Sequence, residues 1–289
     1  FGRLLGLVWY YVIPIRRGVA MQNVRRVFGD TMSRSEQRRL VRRCFQQQMM
    51  AGMEVLRAPL MTEELSIELV ERQGFEHIEE AVARGKGLIG VLVHMGNVDM
   101  IGFSQAIRGL PLYGVVREIK GKSAQKFITR VRTRTGMQLI PPRRSAERIR
   151  QVLAGNGMVG MIVDQHMPKH RGIVCVLFNM LASTSPAPAR FGFDSGTTIL
   201  PMVMFRKGMT EKFVLRIGPP FELEAPHDDL QENIRHNTER LNRIIEGWIR
   251  EAPEQWFWVH RRWKVQDDPS RWDIPQHLQH LAESPAAAT

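Results

Sequence analysis

Runs of apolar residues of strand length alternate along this chain with stretches in which apolar positions recur every three or four residues. The run 88–93, Leu-Ile-Gly-Val-Leu-Val, is continuous rather than alternating, the pattern of a strand buried on both faces. Similar runs at 112–116, 137–140, 157–163 and 173–178, with an alternating one at 67–71, predict further strands. The runs 199–206 and 212–217 read as an antiparallel pair. Helical spacing fills 18–29, 75–83, 98–108, 122–134, 145–153, 184–193 and 230–248. A Ser33–Glu36 capping box opens another helix, on which Leu40, Cys44, Phe45, Met49, Met53 and Leu56 share a face. Thr62 caps a short helix, Gly85 closes the one over 75–83, and Phe127, Ile128 and Val131 are the inward face of 122–134. The alternation predicts an α/β fold, with a mixed, mostly parallel central sheet flanked by helices.

Three regions follow from the same pattern. Residues 1–20 form an N-terminal membrane-associated segment, 21–265 the main domain and 266–289 a tail frayed from Ser284 onward. Residues 4–15 are apolar and aromatic and are followed by Arg16 and Arg17. That is shorter than the roughly 20 residues that span a bilayer. Because the chain opens on Phe1 rather than Met, the segment reads as the end of a truncated transmembrane helix, with Trp9, Tyr10 and Tyr11 at the interface and the arginines on the cytoplasmic side. The alternative is a core helix of a soluble protein. No small-residue cleavage site follows it, so it is not a secretory signal.

Composition narrows the partners. Hydrophobic residues make up 43% of the chain and charged residues 24%, ordinary globular values. The 41 Lys and Arg against 29 Asp and Glu leave +12, which favours nucleic acid, a phospholipid surface or an acidic carrier protein. The aromatic residues do not interleave with the basic ones as a base-stacking platform needs, so nucleic acid is not an expected partner. Helix 122–134 carries Lys122, Lys126, Arg130, Arg132 and Arg134 without an acid, an anion-binding pattern. Cys44 and Cys175 are far apart and read as buried thiols in a reducing compartment. His166 and His170 are separated by Pro168, which disfavours the helix an i, i+4 metal pair requires, so no metal is expected.

The polar residues that stand out follow predicted strands: His94 after the 88–93 run, Arg117 after 112–116 and Asp164, with Gln165, after 157–163. The carboxyl edge of a parallel sheet is where α/β proteins place their sites. His94 and Asp99, five apart, would diverge by about 140° on one regular helix. With His94 in a turn and Asp99 in the first turn of a helix capped by Asn97, the carboxylate can instead steer one ring nitrogen and leave the other as a base. The spacing serves equally for a His and an Asp that merely dress a helix N-terminus. The catalytic reading fits acyl transfer from a thioester to a hydroxyl, with Arg117, a basic residue of helix 122–134, or backbone N–H groups near Gly96 and Asn97 facing the oxyanion. Arg130, Arg132 or Arg206 would pair with headgroup phosphates. There is no GxSxG elbow, GxGxxG or P-loop.

Several blocks in order resemble the bacterial lipid A biosynthesis acyltransferases, within the wider HxxxxD glycerolipid acyltransferase group. They are Arg16-Arg17-Gly18-Val19-Ala20 with Asn23 and Phe28; Val93-His94-Met95-Gly96-Asn97-Val98-Asp99; Arg132 with Gly136 and Leu139-Ile140-Pro141; Val163-Asp164-Gln165; Phe178 with 182–184; and the closing Trp256–Lys264 block. Asp99 stands where most members carry Glu, and Asn179-Met180 and Gly121-Lys122 also depart from the pattern. The resemblance implies an inner-membrane enzyme with its catalytic domain on the cytoplasmic side. His94 would be the base and Asp99 its orienter, while Asn97, Arg117, Arg132, Asp164, Gln165 and Arg206 line or support the site. The donor would be an acyl chain on acyl carrier protein, or on coenzyme A, with no separate cofactor. The acceptor would be an anionic glycolipid, a lipid A precursor first and another such as a phosphatidylinositol mannoside second. A lipid-binding protein without turnover is the competing class.

Overall fold

The computed structural model describes residues 1–13, 15–115, 121–141 and 145–283, apart from the side chain of residue 124. In chain order its helices and strands are α1 (Gly2–Tyr11), α2 (Arg17–Phe28), α3 (Arg34–Arg57), α4 (Glu63–Leu69), β1 (Val70–Gln73), α5 (Glu76–Ala83), β2 (Leu88–Leu92), α6 (Val98–Ile107), β3 (Leu112–Val115), α7 (Lys122–Arg134), β4 (Gln138–Ile140), α8 (Ser145–Ala154) and β5 (Met158–Ile162). There follow β6 (Ile173–Leu177), β7 (Met180–Thr184), α9 (Ala187–Ser195), β8 (Thr198–Arg206), β9 (Phe213–Ile217), α10 (Leu230–Glu251), α11 (Lys264–Asp267) and α12 (Gln279–Glu283). The chain divides into two compact units, one of Met50–Ile162 and Phe191–Glu222, the other of Phe1–Met49, Val163–Arg190 and Leu223–Thr289.

The first unit is built on a seven-stranded sheet in the order β1-β9-β8-β2-β5-β3-β4. The pairs β8–β2, β2–β5, β5–β3 and β3–β4 are parallel, whereas β9 runs antiparallel to β8 and carries β1 parallel to itself. The sheet is therefore mixed and mostly parallel, as the alternation of elements predicts. β2 lies between two parallel neighbours, so all five of its residues are buried and its sequence is a continuous apolar run. β9, with the edge strand β1 beyond it, keeps an alternating burial pattern. A core of Leu88, Leu92, Met100, Ile101, Leu112, Met158, Leu200, Met202 and Met204, continued by Phe213 and Leu215, packs between the sheet and its helices.

The second unit rests on long helices and one hairpin. The Ser33–Glu36 capping box is present, with Ser33 N–H donating to Glu36 Oε2 at 2.8 Å and Glu36 N–H to Ser33 Oγ at 3.3 Å. Leu40, Cys44 and Phe45 face its core. β6 and β7 pair antiparallel around a two-residue turn, Phe178-Asn179, whose φ angles of 53° and 55° are those of a type I′ hairpin. α10 lies on β6, where Glu239 and Glu246 accept the backbone N–H groups of Val176 and Phe178 and Asn242 donates to Val176 O. Burial raises the pKa of both glutamates above the ordinary carboxylate value. The Trp256–Lys264 block closes this unit: Trp258, Trp263 and Arg262 are among its largest fully buried side chains. Asn23 holds it by donating to Trp258 O and His260 O, each at 2.8 Å. The stretch expected as a tail packs Val265, Trp272, Ile274 and Leu278 against Val174 and Leu181.

Three expectations are corrected. The strand expected at 67–71 begins only at Val70, because the helix capped by Thr62 runs on through Leu69. The helix expected from residue 184 begins at Ala187, and Met180–Thr184 is a strand that the hairpin turn folds back. Phe127 and Leu56, read as inward, are 48% and 50% exposed. At the N-terminus α1 has ten residues, and no helix among the described residues is long and apolar enough to cross a membrane. Phe1, Leu4, Tyr11, Val12, Ile13 and Ile15 are nevertheless exposed, while Trp9 packs on Phe45.

Candidate active site

The turn between β2 and α6 is shaped by three residue types in succession. Backbone emerges from the sheet at Val93, and Met95 N–H closes a short turn on Val93 O at 2.8 Å, with Met95 buried and His94 half-buried. Gly96 follows with φ of +56°. A Cβ there would stand 2.3 Å from Met204 O and 3.2 Å from Arg206 N on β8, so only glycine lets the turn lie against that strand. Asn97 then caps α6, its Oδ1 accepting Met100 N–H at 3.2 Å from an extended backbone conformation.

The other end of the Asn97 amide is also engaged. Its Nδ2 donates to Glu54 Oε2 at 2.9 Å. Glu54, on α3, receives the Arg206 guanidinium through Nη1 on Oε1 at 2.5 Å and through Nη2 on Oε2 at 2.7 Å. Arg206 Nη1 also donates to Thr210 O, and the guanidinium lies 4.6 Å from the centre of the Phe213 ring. Arg206 and Asn97 are each 2% exposed. Both were expected to meet substrate, and the structure gives them another task. They form a buried chain, Arg206–Glu54–Asn97, that fixes the helix cap. Sequence reasoning missed Glu54; the signal for it was a carboxylate four residues after Met50, on the same helix face.

Asp99 lies in the first turn of α6, where the helix N-terminus favours a carboxylate. Arg132 of α7 grips its Oδ1 through both Nε and Nη2 at 2.9 Å. The structure thus brings His94, Asn97, Asp99 and Arg132 together on one turn and the helix beside it, with Arg132 on the carboxylate where a lipid phosphate had been expected. Arg117 falls outside the described residues.

Asp164 and Gln165 belong to the other unit. Asp164 is buried and its Oδ2 accepts the Trp256 indole N–H at 2.7 Å, while Gln165 is half-buried. Arg262, fully buried nearby in the chain order of the closing block, donates to Ser183 O at 2.6 Å and to Thr184 Oγ1 at 2.5 Å. His166 N–H donates to His260 Nε2 at 2.9 Å. Burial, with Lys264 and Arg262 adding to it, lowers the His166 pKa to about 4. Burial also pushes the Cys44 thiol up to about 12 and raises that of Cys175, so neither is a thiolate nucleophile at neutral pH. Among the described residues no group of three or more His, Cys, Asp or Glu is placed to hold a metal ion.

Comparison with known proteins assigns the chain to a family. The sequence profile of the family described as bacterial lipid A biosynthesis acyltransferase matches residues 1–265. The lipid A biosynthesis lauroyltransferase of Escherichia coli (strain K12) is 26% identical over 260 residues, covering 89% of this chain and 82% of that protein. The lipid A biosynthesis palmitoleoyltransferase of the same organism is 24% identical over 268 residues, with coverages of 91% and 84%. A phosphatidylinositol mannoside acyltransferase of Mycobacterium tuberculosis (strain CDC 1551 / Oshkosh) is 22% identical over 224 residues, with coverages of 75% and 68%. With the family profile matched over nearly the whole chain, the protein is an acyltransferase and belongs to the bacterial lipid A biosynthesis acyltransferase family.

Proposed function

We propose that this protein moves a fatty acyl chain from a thioester donor, acyl carrier protein or coenzyme A, to a hydroxyl of an anionic glycolipid, a lipid A precursor. His94 is the general base and Asp99 its orienter. The hydroxyl oxygen attacks the thioester carbonyl as His94 takes its proton. A tetrahedral oxyanion forms, faced by backbone N–H groups of the Gly96–Asn97 turn. It collapses with cleavage of the carbon–sulfur bond, and the proton passes from His94 to the departing thiolate. Atoms balance without a second nucleophile or a cofactor.

The observation that carries this reading is the clamped turn: a half-buried His94 at the end of the central strand, held by the close approach of Gly96 to β8 and by the Asn97 cap, next to an Asp99 whose Oδ1 carries Arg132. A carboxylate has two oxygens with about four lone-pair sites, so Oδ2 can take the imidazole N–H when substrate is bound. The exposed apolar residues Phe1, Leu4, Tyr11, Val12, Ile13 and Ile15, with Arg16 and Arg17 beside them, support placing the N-terminal segment on the surface of the inner membrane, cytoplasmic side, amid anionic phospholipids.

A phosphatidylinositol mannoside is the second acceptor to test, because relatives named for it match three quarters of the chain. The experiment is turnover of a dodecanoyl thioester with each acceptor by the protein and by His94→Ala. The substitution should lower kcat by roughly 10²–10⁴, the usual size of a lost general base, while binding of the glycolipid persists. Normal acylation by the alanine variant would refute the mechanism.

A further inference from the structure

The outer face of α7 carries Lys122, Lys126, Arg130 and Arg134 at four-residue intervals, all exposed. At 1.5 Å of rise per residue the row is about 18 Å long. The helix contains no Asp or Glu, and among the described residues none of these four side chains has an ionic or hydrogen-bonded partner. Two local effects work against such a row. Cations four residues apart repel on a helix surface, and Lys122 sits at the positive end of the helix dipole. Phe127, 48% exposed, lies beside it. On the inner side of the same helix Val131 is buried and Arg132 grips Asp99, so whatever binds the outer face sits about one helix diameter from the catalytic turn.

From this arrangement we infer that α7 is the docking surface for an acidic, helical protein that delivers the acyl chain as its thioester. The identity of the thioester rests on the proposed acyl transfer; the docking itself does not. The row is one side chain wide and three helical turns long. That shape fits carboxylates spaced four apart along a facing helix, with Phe127 as an apolar contact beside them. The clustered phosphates of coenzyme A would engage only part of its length, and a bilayer would meet a broad face rather than a line.

Fluorescence anisotropy of labelled dodecanoyl acyl carrier protein, titrated with the full chain, tests the assignment. Lys126→Glu with Arg134→Glu should weaken binding more than tenfold, Lys126→Gln with Arg134→Gln by less, and added salt should weaken the wild type most. His94→Ala should bind the carrier like the wild type while losing turnover, so failure of the catalytic reading registers in a different arm. Transfer from neutral dodecanoyl-pantetheine and co-sedimentation with phosphatidylglycerol vesicles should be unchanged by the glutamate pair. Equal carrier binding by the wild type and the glutamate pair, or no carrier binding by the wild type, would overturn the proposal. So would a loss confined to the vesicles, which would make α7 a membrane face instead.

Discussion

Removing Glu54 tests the buried chain that holds the turn from His94 to Asp99. In Glu54→Ala, Arg206 keeps Thr210 O and the Phe213 ring but loses both bonds to its counter-ion, with its side chain sealed from water. Leaving one member of a buried ion pair uncompensated costs about 3–5 kcal/mol. Asn97 Nδ2 loses its carboxylate at the same time, a further penalty of about 1 kcal/mol that overlaps the first. At roughly 2–3 °C per kcal/mol for a chain of this size, thermal unfolding should move down by about 6–15 °C. Activity should fall as well, because a turn no longer held at Asn97 misplaces His94. Glu54→Met combined with Arg206→Met separates the two effects. Apolar replacement of both partners recovers most of the stability, since no orphan charge remains, yet the Asn97 tether is still missing. The double variant should therefore unfold near the wild-type temperature and remain at least tenfold down in kcat. Calorimetry and a thioester-turnover assay on the three proteins suffice. A wild-type unfolding temperature for Glu54→Ala would refute the energetic argument. Full kcat in the double variant would refute the positioning argument and leave the chain a purely structural device.

Gly96→Ala combines a positive φ, worth about 1–2 kcal/mol against a residue with a Cβ, with a contact of 2.3 Å to the Met204 carbonyl. It should lower the urea midpoint and abolish turnover; a variant with normal kcat would show that the turn can sit elsewhere. In the other unit, the folded-state pKa of His166 lies at about 4, below its ordinary value of 6.5. The unfolded chain therefore takes up that proton first as pH falls, so this histidine's contribution is complete above about pH 6.5 and is lost between there and about 4. His166→Asn should flatten the fall in urea midpoint across that window, and parallel midpoint curves would show that His166 does not contribute to it.

Features governed by neighbouring residues were legible in the sequence, and features governed by distant ones were not. β2 announces itself because a strand with parallel partners on both sides must be apolar throughout, and α7 was found at its observed ends. Thr62 and the Ser33–Glu36 pair act within one helical turn and were found where expected. β7 was missed because its only local signal is the Phe178-Asn179 turn. Asparagine tolerates the left-handed conformation there, but a bulky phenylalanine in the same conformation does not suggest a turn. Phe127 was read as inward from its helical spacing alone, which places it beside the buried arc but does not say how wide that arc is. The Arg132–Asp99 pair joins residues 33 apart and the Arg206–Glu54 pair residues 152 apart, and no pattern along the chain encodes either.

Asn97 shows how a local reading can be correct and still leave out the decisive constraint. As a cap it was legible, and for capping alone aspartate would serve as well, since the two residues rank together at that position. The tertiary structure distinguishes them. The group facing Glu54 at 2.9 Å must donate a hydrogen bond, and an amide does so while a carboxylate would place a second negative charge against the first. With Oδ1 committed to the Met100 N–H and Nδ2 to Glu54, neither end of the side chain is left to hold a substrate without loosening α6. The asparagine in this turn is thus set by a glutamate 43 positions earlier, and what it does structurally is fix the position of the histidine three residues before it and the aspartate two residues after it.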